Sequence, residues 1–363
     1  MTRSLEVDAD ITKAATLPSL FYKDPSIFEL AREKIFARSW QFIGDTDDLK
    51  APGSVKPITV LEGCLDEPIL LTRDFNDQLH GLSNVCTHRG MLVAETGGVE
   101  RFLRCRYHGR RFALDGCFQS MPEFEAVQNF PSNADNLPKI AFETWDKLAF
   151  VNLNPNVSLE TMLAPIKARL GWLPLQEFYF DQTRARDYIV RANWALYCDN
   201  YLEGFHIPYI HASLNAAIDY GNYTTQQYAW CNLQLGVASS GETVFDLPRS
   251  SPDYGQNIAA YYYWVFPNLM LNFYPWGLSI NVVRPLGHDR CKVSFIPYVW
   301  DASKLEAGAG AGLDRVERED EVVVEAVQRG VRSRFYNSGR FSPAREACVH
   351  HFHRLLSAAL QSL

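Results

Sequence analysis

The sequence predicts an α+β protein with a small all-β unit over about 40–155 and a larger unit of helices and strands over 156–363. Two observations carry the division. In the first stretch, turn signals recur at APG (51–53), EGC (62–64), NDQ (76–78), TGG (96–98) and LDG (114–116), with β-branched or alternating runs such as VKPITVLEG and EPILLTRDF between them. In the second, helix-like segments flank a stretch over 223–300 that is rich in Tyr, Trp, Phe and Val, YYYWVFPNLMLNFYPW among them, and reads as several strands.

The elements follow in chain order. Residues 1–39 form an N-terminal extension expected to pack on the second unit. Segment 158–173 reads as a helix, with Ser158 as N-cap and Thr161 and Met162 opening its apolar face. Residues 181–190 are strand-like, and 193–206 (NWALYCDNYLEGFH) are helical again. EAGAGAGLD (306–314) is a loop and no dinucleotide fingerprint, because no strand leads into it and its glycine spacing is wrong. A long helix covers 313–332 and a last one 343–361.

Composition narrows the function. Hydrophobic residues are 47% and charged residues 21% of the 363, as expected of a globular protein. A net charge of −7 argues against general binding to nucleic acid or acidic membranes. The opening MTRSLEVDADITKAA lacks a signal-peptide apolar core, and no apolar run is long enough to span a bilayer. Eight scattered cysteines fit reduced thiols and a cytoplasmic location better than a disulfide scaffold.

Two short strings break that plain picture. CTHRG (86–90) and CRYHG (105–109) give C-x-H, sixteen residues, then C-x-x-H. A structural zinc site usually opens with a close cysteine pair and closes with a histidine pair. Here each loop carries one ligand of each kind, which suits two metal ions, one held by thiolates Cys86 and Cys105 and the other by imidazoles His88 and His108. Gly90 and Gly109 fit tight loops. These residues resemble a Rieske [2Fe–2S] domain. In respiratory Rieske proteins a disulfide ties the loops together; the matching positions here are Met91 and Tyr107, so the resemblance points to the oxygenase branch. Many oxygenases follow YHG with Trp, where this chain has Arg110. Arg89, Arg101, Arg104, Arg106, Arg110 and Arg111 crowd the loops, either as a docking patch for an acidic electron donor or as partners of carboxylates on a neighbouring domain or subunit.

A second set lies in CDNYLEGFHIPYIH (198–211). Asp199, Glu203 and His206 fall at i, i+4 and i+7, on one face if the helix runs on. Pro208 is expected to break that helix and swing His211 back toward His206. Two histidines and a carboxylate form the open-sided triad that binds ferrous iron for oxygen chemistry. Asp320 is the expected third ligand, since it sits within an apolar stripe of Leu313, Val316, Val323, Val324, Val327 and Val331, while Glu317, Glu319 and Glu321 are expected at its sides or away. The tail CVHHFH (348–353) reads as packing.

With both motifs present, the chain resembles the catalytic α subunit of Rieske non-heme iron oxygenases over about 20–360. The resemblance implies an all-β Rieske domain and a helix-grip catalytic domain with an antiparallel sheet. It implies a [2Fe–2S] cluster on Cys86, His88, Cys105 and His108, and a mononuclear Fe(II) on His206, His211 and Asp320. Electrons would come from NAD(P)H through a separate flavin reductase or ferredoxin, for nothing in the chain reads as a flavin or nicotinamide site. It implies a homotrimer in which one subunit's cluster feeds the next subunit's iron, with Glu203 in the position of the bridging carboxylate, more often Asp in the family. Asp199 and Asn200 match the polar pair before that bridge, as supporting groups or as helix-surface residues.

NYLEGFHIPYIH, the 261–277 stretch and the VQRG…HHFH tail are most similar to choline monooxygenase and its bacterial relatives, which implies O2-dependent hydroxylation of a choline-, betaine- or carnitine-like quaternary ammonium compound. Such a head group binds through aromatic faces. Tyr197, Tyr201, Phe205, Phe273, Tyr274 and Trp276 are the nearest aromatic residues, to be divided between pocket and core. The alternatives are an aromatic ring-hydroxylating oxygenase using the same irons, and an electron-transfer protein without the second iron.

Overall fold

The structure is a computed structural model and describes residues 5–217, 219–239 and 241–361. The chain divides into two compact units: one is Phe36–Leu159, and the other joins a segment ending at Ile35 to the chain from Glu160 onward.

The Phe36–Leu159 unit is all β. Its strands are β1 (Gln41–Asp45), β2 (Ser54–Val60), β3 (Glu67–Arg73), β4 (Leu79–Ser83), β5 (Gly98–Val99), β6 (Leu103–Arg104), β7 (Arg111–Phe112), β8 (Phe118–Ser120), β9 (Lys139–Trp145) and β10 (Leu148–Asn152). Seven form a sheet in the order β1-β10-β9-β4-β3-β2-β5, and β6-β7-β8 form a small second one. Leu70 and Leu82 from adjacent strands, Val93, Leu103, Phe112 and Leu137 bury one core, and Cys86 and Cys105 are part of it. The thiols therefore sit at the rim of a packed interior, which fixes them without help from a disulfide.

Arg110 does not belong to an arginine surface, as the sequence suggested. It is 2% exposed, donates to Asp135 at 2.7 Å, and lies 4.9 Å from the Phe118 ring and 5.6 Å from Phe130. A planar guanidinium can be paired at its edge and stacked on its faces together, so it takes an aromatic residue's place in the core. Arg89, Arg101, Arg104, Arg106 and Arg111 are exposed and enter no ion pair among the described residues.

The other unit is mixed. Helix α1 (Pro25–Lys34), capped by Asp24, packs with α7 (Ala347–Gln361), and Leu17 N–H donates to His353 Nδ1 at 3.0 Å. Between them the chain forms α2 (Leu159–Leu170), β11 (Tyr179–Phe180), β12 (Arg186–Val190), α3 (Trp194–Tyr201), α4 (Ile207–Ile210), α5 (Ala212–Ala217), β13 (Thr224–Gln227), β14 (Cys231–Val237), β15 (Ile258–Val265), β16 (Leu269–Tyr274), β17 (Gly277–Gly287), β18 (Arg290–Val299) and α6 (Leu313–Val331). Strands β13 to β18 run as an antiparallel meander in sequence order, with β11 and β12 on the outer edge of β18. Strands β14 to β17 are buried on both faces; β15 and β16 accordingly read as nearly continuous apolar runs, whereas β14 and β17 carry buried polar residues at alternate positions, Asn232 and Gln234, Ser279 and Asn281. Helix α3 packs against β17 and α6.

The expected helix over 193–206 is too long. Helix α3 ends at Tyr201, with Leu202 as C-cap. Glu203 turns its carboxylate onto the N–H groups of Phe205 and His206, and so starts a new turn where the old helix would have continued. Pro208 is not the breaker; it sits in the first turn of α4, where its missing N–H costs nothing.

Candidate functional site

The two cluster-type loops repeat one backbone plan. Cys86 N–H donates to Met91 O at 2.8 Å and Gly90 N–H to Cys86 O at 3.0 Å; Cys105 N–H donates to Arg110 O at 2.9 Å and Gly109 N–H to Cys105 O at 3.0 Å. Closing each loop needs a left-handed residue, supplied by Gly90 (φ +75°) and Gly109 (φ +76°). Both cysteines are buried, while His88 and His108 are partly exposed with their Nδ1 atoms facing at 3.2 Å. Two imidazole nitrogens this close require a proton or a cation between them. Burial, with the positive charges of His108, Arg110 and Arg89, holds His88 below its ordinary range and disfavours the proton. The donor set thus fits a metal group held by two thiolates and two imidazoles.

The second constellation comes from three stretches of chain. His206 caps the start of α4, His211 follows its end, and Asp320 projects from α6. One donor atom from each lies within 4.8 Å of the others. His206 Nδ1–H donates to Glu203 Oε1 at 2.7 Å, and His211 Nδ1–H to Glu319 Oε2 at 2.8 Å. Each carboxylate fixes a tautomer, leaving Nε2 unprotonated and turned toward Asp320 Oδ1, at 3.5 Å and 3.0 Å respectively. Lone pairs and a carboxylate oxygen aimed at one point repel unless a cation stands there. This is the arrangement of a two-histidine, one-carboxylate iron site. With no metal, burial opposes protonation of His211, but the hydrogen bonds and charges of Asp320 and Glu319 outweigh it and raise its pKa.

Asn200 donates to Asp320 Oδ1 at 3.1 Å and lies 3.4 Å from His206 Nε2, so it touches the triad. Asp199 does not. It accepts from His353 Nε2–H at 2.9 Å and from Tyr22 O–H at 3.0 Å, tying α3 to α7 and the N-terminal segment.

A cavity of about 110 Å³ opens on the triad. Its floor is a row across the sheet: Gln234, Tyr262, Asn272 and Ser279 are register partners on β14 to β17, with Tyr274 and Asn281 two residues along on the same face. Tyr197, Tyr201, Tyr223 and Phe295 supply further aromatic walls, and Gly204 lets the Tyr223 ring approach the turn before His206. Of the six aromatic residues singled out from sequence, Tyr197, Tyr201 and Tyr274 line this cavity. Phe273 has the opposite strand parity and is fully buried, Phe205 is 41% exposed, and Trp276 lines a neighbouring cavity instead. The sequence reading missed Tyr223, Tyr262, Gln234 and Phe295; the available signal was the polar residues inside otherwise apolar strands, Gln234 in β14, Asn272 in β16, and Ser279 and Asn281 in β17.

The stripe drawn for α6 is also corrected. Glu317 is 2% exposed and Val327 is 44% exposed. The inward face is Glu317, Asp320, Val324, Gln328 and Val331, spaced three and four apart with three polar members, with Val316 beside it, so a search for apolar residues alone rotated it. Glu317 accepts from Tyr197 O–H and lines the cavity, and Glu319 holds His211 rather than pointing away.

The chain matches the Rieske [2Fe-2S] domain over 39–131 and the ring hydroxylating alpha subunit (catalytic domain) over 172–362. It is 32% identical to the chloroplastic choline monooxygenase of Arabidopsis thaliana, over 95% of this chain and 83% of that one. It is 28% identical to the carnitine monooxygenase oxygenase subunit of Escherichia coli K12, over 96% and 95% respectively. The fold matches a solved quaternary ammonium Rieske monooxygenase with a TM-score of 0.79 at 22% identity, covering 99% of this chain and all of that one. It also matches naphthalene 1,2-dioxygenase from Rhodococcus sp. with a TM-score of 0.73 at 20% identity, over 95% and 93%. With a Rieske domain and a ring-hydroxylating catalytic domain together covering most of its length, the chain belongs to the Rieske non-heme iron oxygenases as a catalytic alpha subunit.

Proposed function

We propose that this oxygenase hydroxylates a small quaternary ammonium compound. The observation that carries the reading is the tyrosine-lined cavity opening on His206, His211 and Asp320. A trimethylammonium group has no hydrogen to donate and is held by ring faces, each contributing on the order of 1 kcal/mol or more when desolvated. The choline and carnitine monooxygenases among its relatives support the same substrate class.

Cys86, Cys105, His88 and His108 would hold the [2Fe–2S] group; His206, His211 and Asp320 would hold the mononuclear iron. When bound, the cluster passes single electrons and the ferrous iron activates dioxygen for insertion into a substrate bond. The chain's own residues do the rest. Cys86 and Cys105 anchor the cluster in the core, while the partly exposed histidine edge is where electrons pass. Glu203 orients His206 through Nδ1, and we assign it the bridge for electrons arriving from a neighbouring subunit of a homotrimer. The tyrosines fix the cation and keep bulk water from the reacting carbon. A separate reductase supplies the electrons, and exposed Arg89, Arg101, Arg104, Arg106 and Arg111 offer it a complementary surface if it is acidic. The scattered positions of the cysteines outside the cluster loops fit a reducing, cytoplasmic setting; among the described residues no helix is long and apolar enough to cross a membrane.

The test is a substrate screen with a surrogate reductase, following NADH and oxygen consumption with product analysis. Quaternary amines should stimulate coupled turnover. Stimulation by aromatic acids and none by amines would replace this reading with ring hydroxylation.

A further inference from the structure

One side chain in the cavity is not used by the metal chemistry. Glu317 lies one helical turn before Asp320, is 2% exposed and faces the cavity. One of its oxygens accepts from Tyr197 O–H, while Oε1 is buried with no hydrogen-bond partner among the described residues. Burial, with the charges of Asp320, Glu321 and Asp314, pushes its carboxyl up to about 8, despite the Tyr197 hydrogen bond. A carboxylate kept there with Oε1 unpartnered costs stability unless a cation enters beside it.

A second acceptor lies in the sheet floor. Gln234 is buried, and its amide nitrogen donates to Tyr201 O at 2.6 Å. That bond fixes the amide's orientation and leaves Oε1 as a buried acceptor with no partner. The cavity lining also carries Glu203 and Asp320 but, among the described residues, neither lysine nor arginine. In the neighbouring cavity Arg184 is paired with Glu306 at 2.8 Å, and Arg186 donates to the carbonyls of Thr183 and Ala185.

We infer that Glu317 is the counter-charge of the substrate's quaternary ammonium head, and that the cavity selects cations with a hydroxyl-bearing, uncharged tail over zwitterions that carry a carboxylate. This rests on the quaternary ammonium reading and makes it more specific. The cation would fill the charge that Oε1 lacks, and the tail hydroxyl would donate to Gln234 Oε1. Apart from the iron, a substrate carboxylate would find no cationic partner among the described lining residues, only the carboxyl groups of Glu317, Glu203 and Asp320.

The experiment is calorimetric binding to the iron-loaded, full-length protein, anaerobically, with three probes: choline, its carbon isostere bearing tert-butyl in place of trimethylammonium, and glycine betaine. The wild type should bind choline best. Glu317→Gln, which preserves shape and the Tyr197 hydrogen bond, should weaken choline on the order of 30-fold and leave the isostere unchanged; Glu317→Asp, which keeps the charge, should retain the preference for choline even if Gln impairs folding. Iron content and the cluster spectrum should not change. Equal choline affinity in wild type and Glu317→Gln would overturn the role of Glu317 while leaving the quaternary ammonium reading intact. Betaine binding as tight as choline would overturn the uncharged-tail selection. Failure of every quaternary amine to bind the wild type would remove the underlying reading, and this inference with it.

Discussion

The two metal sites of this chain are built in opposite ways. The cluster loops are local: two pentapeptides, each closing on itself with the same pair of backbone hydrogen bonds and each turning at a left-handed glycine. The triad is assembled. His206 and His211 flank one turn of helix, Asp320 comes from a helix more than a hundred residues later, and each imidazole is held by a carboxylate from a different segment, Glu203 or Glu319. A local site depends mainly on loop geometry and the core under it. An assembled site depends on carboxylates that orient its ligands, and mutations should separate the two.

The largest effect is expected at a triad ligand. His211→Ala should abolish oxygenation and lower mononuclear iron to near zero, while the cluster's absorbance is unchanged; a mutant retaining its third iron would break the contrast. Next comes the support of the cluster unit. Arg110→Ala leaves Asp135 Oδ1 without its cation and opens a gap beneath three phenylalanines, so it should cost about 3 kcal/mol in unfolding of the Rieske unit, measured by loss of cluster absorbance with denaturant. The triad should keep its iron in that variant at low denaturant.

The orienting carboxylates come third. Glu319→Gln should reduce mononuclear iron affinity about 10-fold, read by competition with a chelator, and leave the cluster untouched. Glu203→Gln should lose a similar amount and, in addition, slow single-turnover electron transfer to the iron; unchanged transfer would remove Glu203 from the bridge. The smallest effect belongs to the loop turn. Gly90→Ala meets no clash but forces a side chain into φ +75°, a cost of about 1–2 kcal/mol that should appear as faster cluster loss on warming.

The same contrast explains what could be read from sequence. Cys86, His88, Cys105 and His108 were legible because spacing alone defines a local loop. His206, His211 and Asp320 were legible because a histidine pair and an inward aspartate are chemically unusual. The connections between them were harder. Helical periodicity carried 193–206 through as one helix, because nothing in composition shows that Glu203 takes the backbone protons of Phe205 and His206. The apolar stripe of α6 overlooked Glu317 and Gln328, since burial there is shared with polar partners, Tyr197 and Asn193. The cavity floor depends on register between four strands: Gln234, Tyr262, Asn272 and Ser279 are far apart in the chain and become neighbours only when the meander is aligned.

Iron and acid-labile sulfide, counted per chain in the wild type and in Asp320→Ala, test most directly whether three separated residues hold one iron that the cluster is there to serve. Three irons and two sulfides in the wild type, falling to two and two in the variant with the cluster's spectrum intact, are the predicted result. A variant that keeps three irons, or a wild type that never holds more than two, would contradict it.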